Sequence, residues 1–337
     1  MARSTEVILK NKSSNPLLSH YDIGQYDHPF TLNPTVGCFF ACKFCYSPIF
    51  VAKLKVQKRK QFFEQVRIKM DIAKNLDRTL TKLKKIPQHL KRVQINETSD
   101  YYLPKVINEL KKNNRDIMLE ILEVFHKHAK NGNVWMLHIL TKSNLILKHI
   151  EKLEQMKDMV QVEISFTTHD ENIRKKLEFF TIPISERLKV ISALSKRGIF
   201  VRVMAMPFYG EKEDLEKLKK IAFEKGAKAF KNKGLNYFLW DELEKLSYDD
   251  LINDRVSRSG SRKDVMHEDL NVKSGETILF RNKMKYKTAL MPKPKKGRRK
   301  PPNWAVADFK KRLKRKDMEM INCGYSDISN IDWGYIK

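Results

Sequence analysis

A chain of 337 residues, 41% hydrophobic and 32% charged, can bury a substantial core and has the make-up of a soluble globular protein. No apolar run approaches the roughly 20 residues a membrane-spanning helix needs. The opening MARSTEVILKNKSSN also lacks the apolar stretch of a secretory signal, so a reducing cytoplasm is the expected setting. A formal net charge of +27 exceeds what solubility requires and points to a polyanionic partner, nucleic acid first of all; the bland alternative is a lysine-rich background composition.

Residues 1–30 are read as an N-terminal segment. From residue 31 to about 254, short apolar runs alternate with helical patterns, as repeated βα units over a parallel sheet would. Strands are expected at 31–36 (TLNPTV), 92–97 (RVQINE), 133–140 (NVWMLHIL), 160–166 (VQVEISF) and 199–206 (IFVRVMAM), with a weaker one at 235–239 (LNYFL). Helices are expected over 58–83, 105–130, 144–157, 184–197 and 211–225, the last two stopping at Gly198 and Gly226. Such an order curls into a parallel sheet with its helices outside, either a complete eight-fold barrel or, as six strands indicate, a partial (β/α)6 TIM-like barrel. In both, chemistry belongs to the loops after the strand C-termini. Arg202 alternates with Val201 and Val203, so it is expected to point inward and to need an anion, either Glu163 or a substrate phosphate.

Residues 255–280 break the pattern and are read as a polar connecting segment. A basic C-terminal extension, 281–337, follows. Between Arg281 and Lys316 it holds sixteen Lys and Arg against one acid, Asp308, which is more than half of the net charge in about a tenth of the chain. Interleaved Pro and Trp suit phosphate contacts with occasional base stacking. The candidate nucleic-acid contacts are Lys295, Lys296, Arg298, Arg299, Lys300, Trp304, Lys311 and Arg312. Residues 306–321 also read as a short basic helix able to dock by an apolar face.

Cys38, Cys42 and Cys45 fall in C-x3-C-x2-C spacing directly after the first strand, while Cys323 stands far away. Four thiolates complete tetrahedral zinc or occupy every iron of a cubane cluster. Three bind three irons of a [4Fe–4S] cluster and leave the fourth open to a ligand that is not protein. The amine and carboxylate of S-adenosylmethionine can chelate that open iron. The competing readings are three small apolar core residues, or zinc with a histidine such as His28.

CFFACKFCY resembles the radical S-adenosylmethionine (radical SAM) signature, with an aromatic residue before the last cysteine. The resemblance runs over roughly residues 31–240 and is strongest to the spore photoproduct lyase-like subfamily, through NETSDYYLP (96–104), LTKS (140–143), the stretch 165–199 and VRVMAMPFYGEKEDLEKL (201–218). It implies a partial barrel holding a [4Fe–4S] cluster and S-adenosylmethionine, an external electron donor such as flavodoxin or ferredoxin, and 5′-deoxyadenosyl radical chemistry.

Independently, polar residues gather after successive strands: Glu97 to Asp100, then Thr141 to Ser143, then Ser165, Thr167 and Thr168. By chemistry and by the family pattern together, Lys142 holds the methionine carboxylate, Ser99 and Asp100 receive the amine, and Ser165 bonds ribose or carboxylate. Tyr46 packs on adenine or shields the cluster. Glu178 and Arg187 are expected to pair and fix the turn between two helices.

One position departs from the subfamily. Where its pattern has a cysteine that returns a hydrogen atom to the product radical, this chain has Glu97, whose O–H bond is too strong for that task. Glu97 is therefore a candidate for holding the methionine amine or a substrate group, and Cys323 can act as the donor only if the C-terminal extension folds over the site. The expected function is modification or repair of a nucleobase in DNA or RNA. The alternatives are the same chemistry on a peptide or protein, and a nucleic-acid-binding protein with a cluster that does not turn over.

Overall fold

The computed structural model describes residues 5–11, 16–19, 30–53, 55–85, 91–232, 235, 240–252 and 269–272. The first part of the chain carries β1 (Glu6–Lys10), β2 (Leu18–Ser19), β3 (Phe30–Leu32), β4 (Thr35–Val36), α1 (Ser47–Lys53), β5 (Gln65–Lys69) and α2 (Ile72–Lys82). Then come β6 (Arg92–Ile95), α3 (Pro104–Lys112), α4 (Ile117–Lys130), β7 (Met136–Thr141), α5 (Ile150–Gln155), β8 (Val160–Ser165), α6 (Glu171–Leu177) and α7 (Ile184–Lys196). The last are β9 (Phe200–Ala205), α8 (Lys212–Glu224), β10 (Ala229–Asn232), α9 (Trp240–Lys245), α10 (Tyr248–Ile252) and β11 (Asp269–Val272).

Strands β3, β6, β7, β8, β9 and β10 lie side by side in that order, all parallel, giving the six-stranded α/β sheet expected of a partial barrel. β2 and β11 close its two edges as antiparallel neighbours. β6 and β8 are buried along their whole length, as strands covered on both faces must be. The helices present one apolar stripe each: α2 buries Ile72, Leu76 and Leu80 at i, i+4 spacing, and α4 buries Ile117, Ile121, Leu122 and Phe125. Among the described residues no helix is long and apolar enough to cross a membrane.

Four expectations are corrected. The run 31–36 is two strands in two sheets. Pro34 has no N–H to donate, and the chain leaves the barrel there so that β4 can pair with β5. The helix expected over 58–83 gives way to β5 in its first half. Val66 and Ile68 are fully buried while Gln65, Arg67 and Lys69 alternate with them, a period of two that β1 completes as a parallel partner. The helix expected over 105–130 is broken at Asn114, where φ is +51°, and Asp116 restarts it by accepting the Leu119 N–H at 3.2 Å. The sixth strand lies at 229–232, three residues after the Gly226 helix stop, where short βα register brings Phe230 beside Val203; residues 236–239 of the expected run lie outside the described residues. β11 also adds a strand within the segment read as a polar connection.

Within the barrel, Arg202 meets Glu163, as one of the two expected partners. Glu163 also accepts from Gln94 Nε2 at 3.1 Å and Gln161 Nε2 at 2.8 Å, and lies 3.1 Å from His138 Nδ1. Burial alone would raise the Glu163 carboxyl, but the Arg202 charge and the bonds from His138 and Gln94 outweigh it and hold the group below the usual carboxylate range. Burial pushes the His138 imidazole down to about 3, so it is neutral.

Candidate active site

The cysteine loop begins with a close approach. Gly37 has φ of +97°, and a Cβ there would stand 2.1 Å from the Gln65 carbonyl oxygen, so only glycine fits between the loop and the start of β5. The next residue, Cys38, donates its N–H to the Phe62 carbonyl at 2.9 Å. A second segment, 177–181 after α6, straps the loop: Lys43 N–H reaches the Leu177 carbonyl at 2.9 Å, Phe180 N–H reaches the Phe40 carbonyl at 3.1 Å, and Cys42 and Glu178 form an isolated antiparallel bridge. Two segments distant in sequence thus fix the loop's backbone.

Cys42 is buried and Cys38 and Cys45 are partly covered. The Asp100 and Phe40 backbone N–H groups act on the Cys38 thiol, and the Ser47 N–H and hydroxyl on that of Cys45, each lowering it against the effect of burial. Donors aimed at sulfur favour the thiolate and suit a metal-bound one. Without a metal, burial and the nearby Asp100 carboxylate push the Cys38 thiol up to about 12, and burial likewise raises Cys42 and Cys45. A cluster taking these ligands would therefore displace three protons. Among the described residues no three His, Cys, Asp or Glu side chains converge to hold a single ion. A cubane makes no such demand, since each thiolate takes its own iron. Three clustered cysteines with N–H donors behind them and no fourth cysteine on the loop fit that group.

The loops after β6, β7 and β8 bring the predicted polar residues to the same end of the barrel. The Asp100 carboxylate accepts from Tyr102 N–H at 2.9 Å, Lys142 N–H at 2.9 Å and the Thr141 hydroxyl at 2.8 Å. Burial raises its carboxyl, and these bonds oppose the rise. Ser99 gives its hydroxyl proton to the Thr35 carbonyl at 2.8 Å, so it ties β4 to the loop and retains acceptor capacity. Tyr46 is 41% exposed and its hydroxyl reaches the Glu97 carbonyl at 3.2 Å, spanning from the cysteine loop to the β6 loop. Glu97 itself is half-buried.

Lys142 does not behave as a solvated loop lysine. Its side chain is 13% exposed, its Nζ bonds the Ser165 hydroxyl, lies 3.7 Å from Glu178 Oε1 and stands 5.7 Å from the Phe44 ring centre. Glu178 is fully buried and is shared. It accepts from Arg187, from the Thr167 hydroxyl at 2.8 Å and from the Thr181 hydroxyl at 2.8 Å. Burial opposes its ionisation, but the Arg187 and Lys142 charges win and hold its carboxyl at about 2. Arg187 also donates to the Ser165 carbonyl at 2.9 Å. The expected Glu178–Arg187 pair is present, and it does more than fix a turn: its carboxylate lies under Lys142 while its backbone lies against Cys42. Sequence reasoning missed that connection. The only trace of it is a lone acid, Glu178, followed by two phenylalanines.

A partial parallel barrel that carries three clustered cysteines on its first loop, facing a lysine and hydroxyls from the next three, has the donor set of an iron–sulfur enzyme. The chain belongs to the radical SAM superfamily, whose sequence profile matches residues 32–223. The cofactors of that superfamily are a [4Fe–4S] cluster and S-adenosylmethionine. Similar curated proteins are uncharacterized protein ORF301 of Acidianus two-tailed virus, 25% identical over 57% of this chain and 62% of that protein, and uncharacterized protein MJ0683 of Methanocaldococcus jannaschii, 24% identical over 56% and 63%. The chain thus spans less than two thirds of either relative. Among solved structures, spore photoproduct lyase with bound AdoMet and dinucleoside spore photoproduct has a TM-score of 0.49 at 12% identity, over 74% of this chain and 66% of that one. SuiB of Streptococcus suis bound to precursor peptide SuiA has a TM-score of 0.41 at 16% identity, over 68% and 39%.

The structure thus brings Cys38, Cys42, Cys45, Tyr46, Glu97, Ser99, Asp100, Lys142 and Ser165 to one end of the barrel. Cys323 and the candidate nucleic-acid contacts Lys295, Lys296, Arg298, Arg299, Lys300, Trp304, Lys311 and Arg312 lie outside the described residues.

Proposed function

We propose that this radical SAM enzyme modifies or repairs a nucleobase in DNA or RNA, within the spore photoproduct lyase-like subfamily. The observation that carries the substrate class is the charge of residues 281–316, sixteen cations against one acid, which suits a phosphate backbone better than a folded protein surface. When bound and reduced, the cluster and S-adenosylmethionine supply a 5′-deoxyadenosyl radical that abstracts a substrate hydrogen.

Cys38, Cys42 and Cys45 would hold the cluster. Lys142, kept in place by Ser165 and Glu178, neutralises the methionine carboxylate. Asp100 keeps the β6 and β7 loops in register and offers its remaining lone pair to the amine, with Ser99 beside it. Tyr46 closes one side of the mouth by reaching the Glu97 backbone, and Glu97 takes the amine or a substrate group. A base inside a duplex cannot reach a barrel mouth, so a flipped or single-stranded nucleotide is required.

The test is anaerobic reconstitution followed by reduction with S-adenosylmethionine present. Formation of 5′-deoxyadenosine is expected, and nucleic acid from cells with and without the protein should differ in one modified or repaired base by mass spectrometry. No 5′-deoxyadenosine from fully loaded protein would sink the enzymatic reading. Turnover with a peptide and none with DNA or RNA would move the substrate to protein. Glu97→Gln is expected to weaken S-adenosylmethionine binding or turnover; unchanged affinity and rate would remove Glu97 from the site.

A further inference from the structure

We propose that the basic surface pocket beside the cysteine loop is the docking site of an acidic one-electron donor protein. This rests on reading Cys38, Cys42 and Cys45 as ligands of a cluster that must be reduced from outside. The pocket, about 700 Å³, is walled by Lys55, Lys58, Arg59, Lys60 and Arg67, and no carboxylate is among its lining residues.

Its walls are braced. The Gln57 amide donates to the Gln65 carbonyl at 2.8 Å, and the Arg67 guanidinium donates to the Val56 carbonyl at 2.9 Å and to Gln65 Oε1 at 2.9 Å. The same segment leads straight to the cysteines. The Phe62 carbonyl, one residue past the lining Gln61, accepts the Cys38 N–H at 2.9 Å. Val51, one residue before the lining Ala52, packs with Phe62 in the small apolar cluster that Cys38 and Cys45 border. Phe62 therefore links the two, its neighbour Gln61 lining the pocket while Phe62 itself packs in the cluster that Cys38 and Cys45 border, and electron transfer favours such a short path.

Charge alone would suit nucleic acid equally, but the apolar content decides between the two. Val56, 42% exposed, is one of the four large apolar side chains exposed among the described residues, and it lines the pocket. An aliphatic side chain offers no ring for a base to stack on, and beside a cationic rim it suits a protein interface. The basic extension is repelled by the same cations and does not suit the pocket as an occupant. On docking, the donor loses one electron and the cluster gains it, with no bond made or broken.

The test uses Lys58→Glu with Lys60→Glu, two exposed positions outside the cofactor site. Reduction of the loaded cluster is followed by its visible absorbance in stopped flow, with reduced flavodoxin and with the small cation radical of methyl viologen. The double variant is expected to lose about tenfold or more of the second-order rate with flavodoxin at low salt, with no loss toward the viologen. The wild-type rate with flavodoxin should also fall steeply with salt while that of the variant does not. An unchanged flavodoxin rate, or equal losses with both reductants, overturns the proposal. So does lost nucleic-acid affinity with an intact flavodoxin rate, which gives the pocket to the substrate. Wild-type protein that takes up no iron sinks the cluster reading and this proposal together; protein that takes up iron and is reduced by viologen leaves only the docking site in question.

Discussion

Two buried carboxylates, built alike, mark the difference between scaffold and site. Glu163 in the barrel interior and Glu178 at its mouth are each fully buried, each paired with an arginine from a neighbouring element and each bonded to further donors. Around Glu163 the remaining donors are neutral: Gln94, Gln161 and the uncharged His138. Around Glu178 a second cation, Lys142, stands at 3.7 Å and stays partly exposed. One carboxylate shared by two cations leaves positive charge for an incoming anion. The interior group is sealed from solvent, and the mouth group keeps a cation that solvent can reach.

That contrast can be broken at either end. The largest effect is expected from Glu163→Gln, which leaves Arg202 buried without its counter-charge and should cost about 3–5 kcal/mol of stability. Chemical denaturation would measure it, and a loss below about 1 kcal/mol would refute the structural role. Lys142→Met should lower S-adenosylmethionine affinity about 30-fold, equivalent to about 2 kcal/mol, while leaving chain stability within about 1 kcal/mol. Calorimetric titration and melting together decide it, because a structural lysine would show the reverse.

A smaller effect is expected from pH. His138 is neutral in the fold down to about 3, whereas an unfolded chain takes up a proton near 6.5. The unfolded state therefore binds more protons below 6.5, and stability falls as pH drops. The loss between pH 6.5 and 5.5 is at most about 1.4 kcal/mol from this group. His138→Asn should flatten that slope in melts across the range, and an unchanged slope would place its origin elsewhere. Least of all, Tyr46→Phe removes one exposed bond to the Glu97 carbonyl and should change affinity less than about threefold; a larger loss would mean that the hydroxyl touches the cofactor.

Much of the site was legible because it is local. C-x3-C-x2-C needs only one loop to present three thiols, Glu97 to Asp100 and Lys142 each follow a strand whose apolar run marks its end, and Ser165 ends one. The splits at Pro34 and within 58–83 were harder to read. Lys and Glu around β5 imitate a helix, and its alternation of Val66 and Ile68 has meaning only once β1, from the N-terminal segment, lies beside it.

The sequence by itself determined the parallel barrel and the end of it where the three cysteines and the polar loop residues gather, since each follows from spacing along the chain. Only the tertiary structure decided which charges are scaffold and which are free to act. Glu163 and Glu178 look equivalent in sequence, and their difference depends on what stands beside each: a neutral imidazole across one strand, and a lysine from another loop. Electrostatic balance is a property of neighbours in space. No reading along the chain shows that Glu178 has two cations to answer while its backbone grips Cys42.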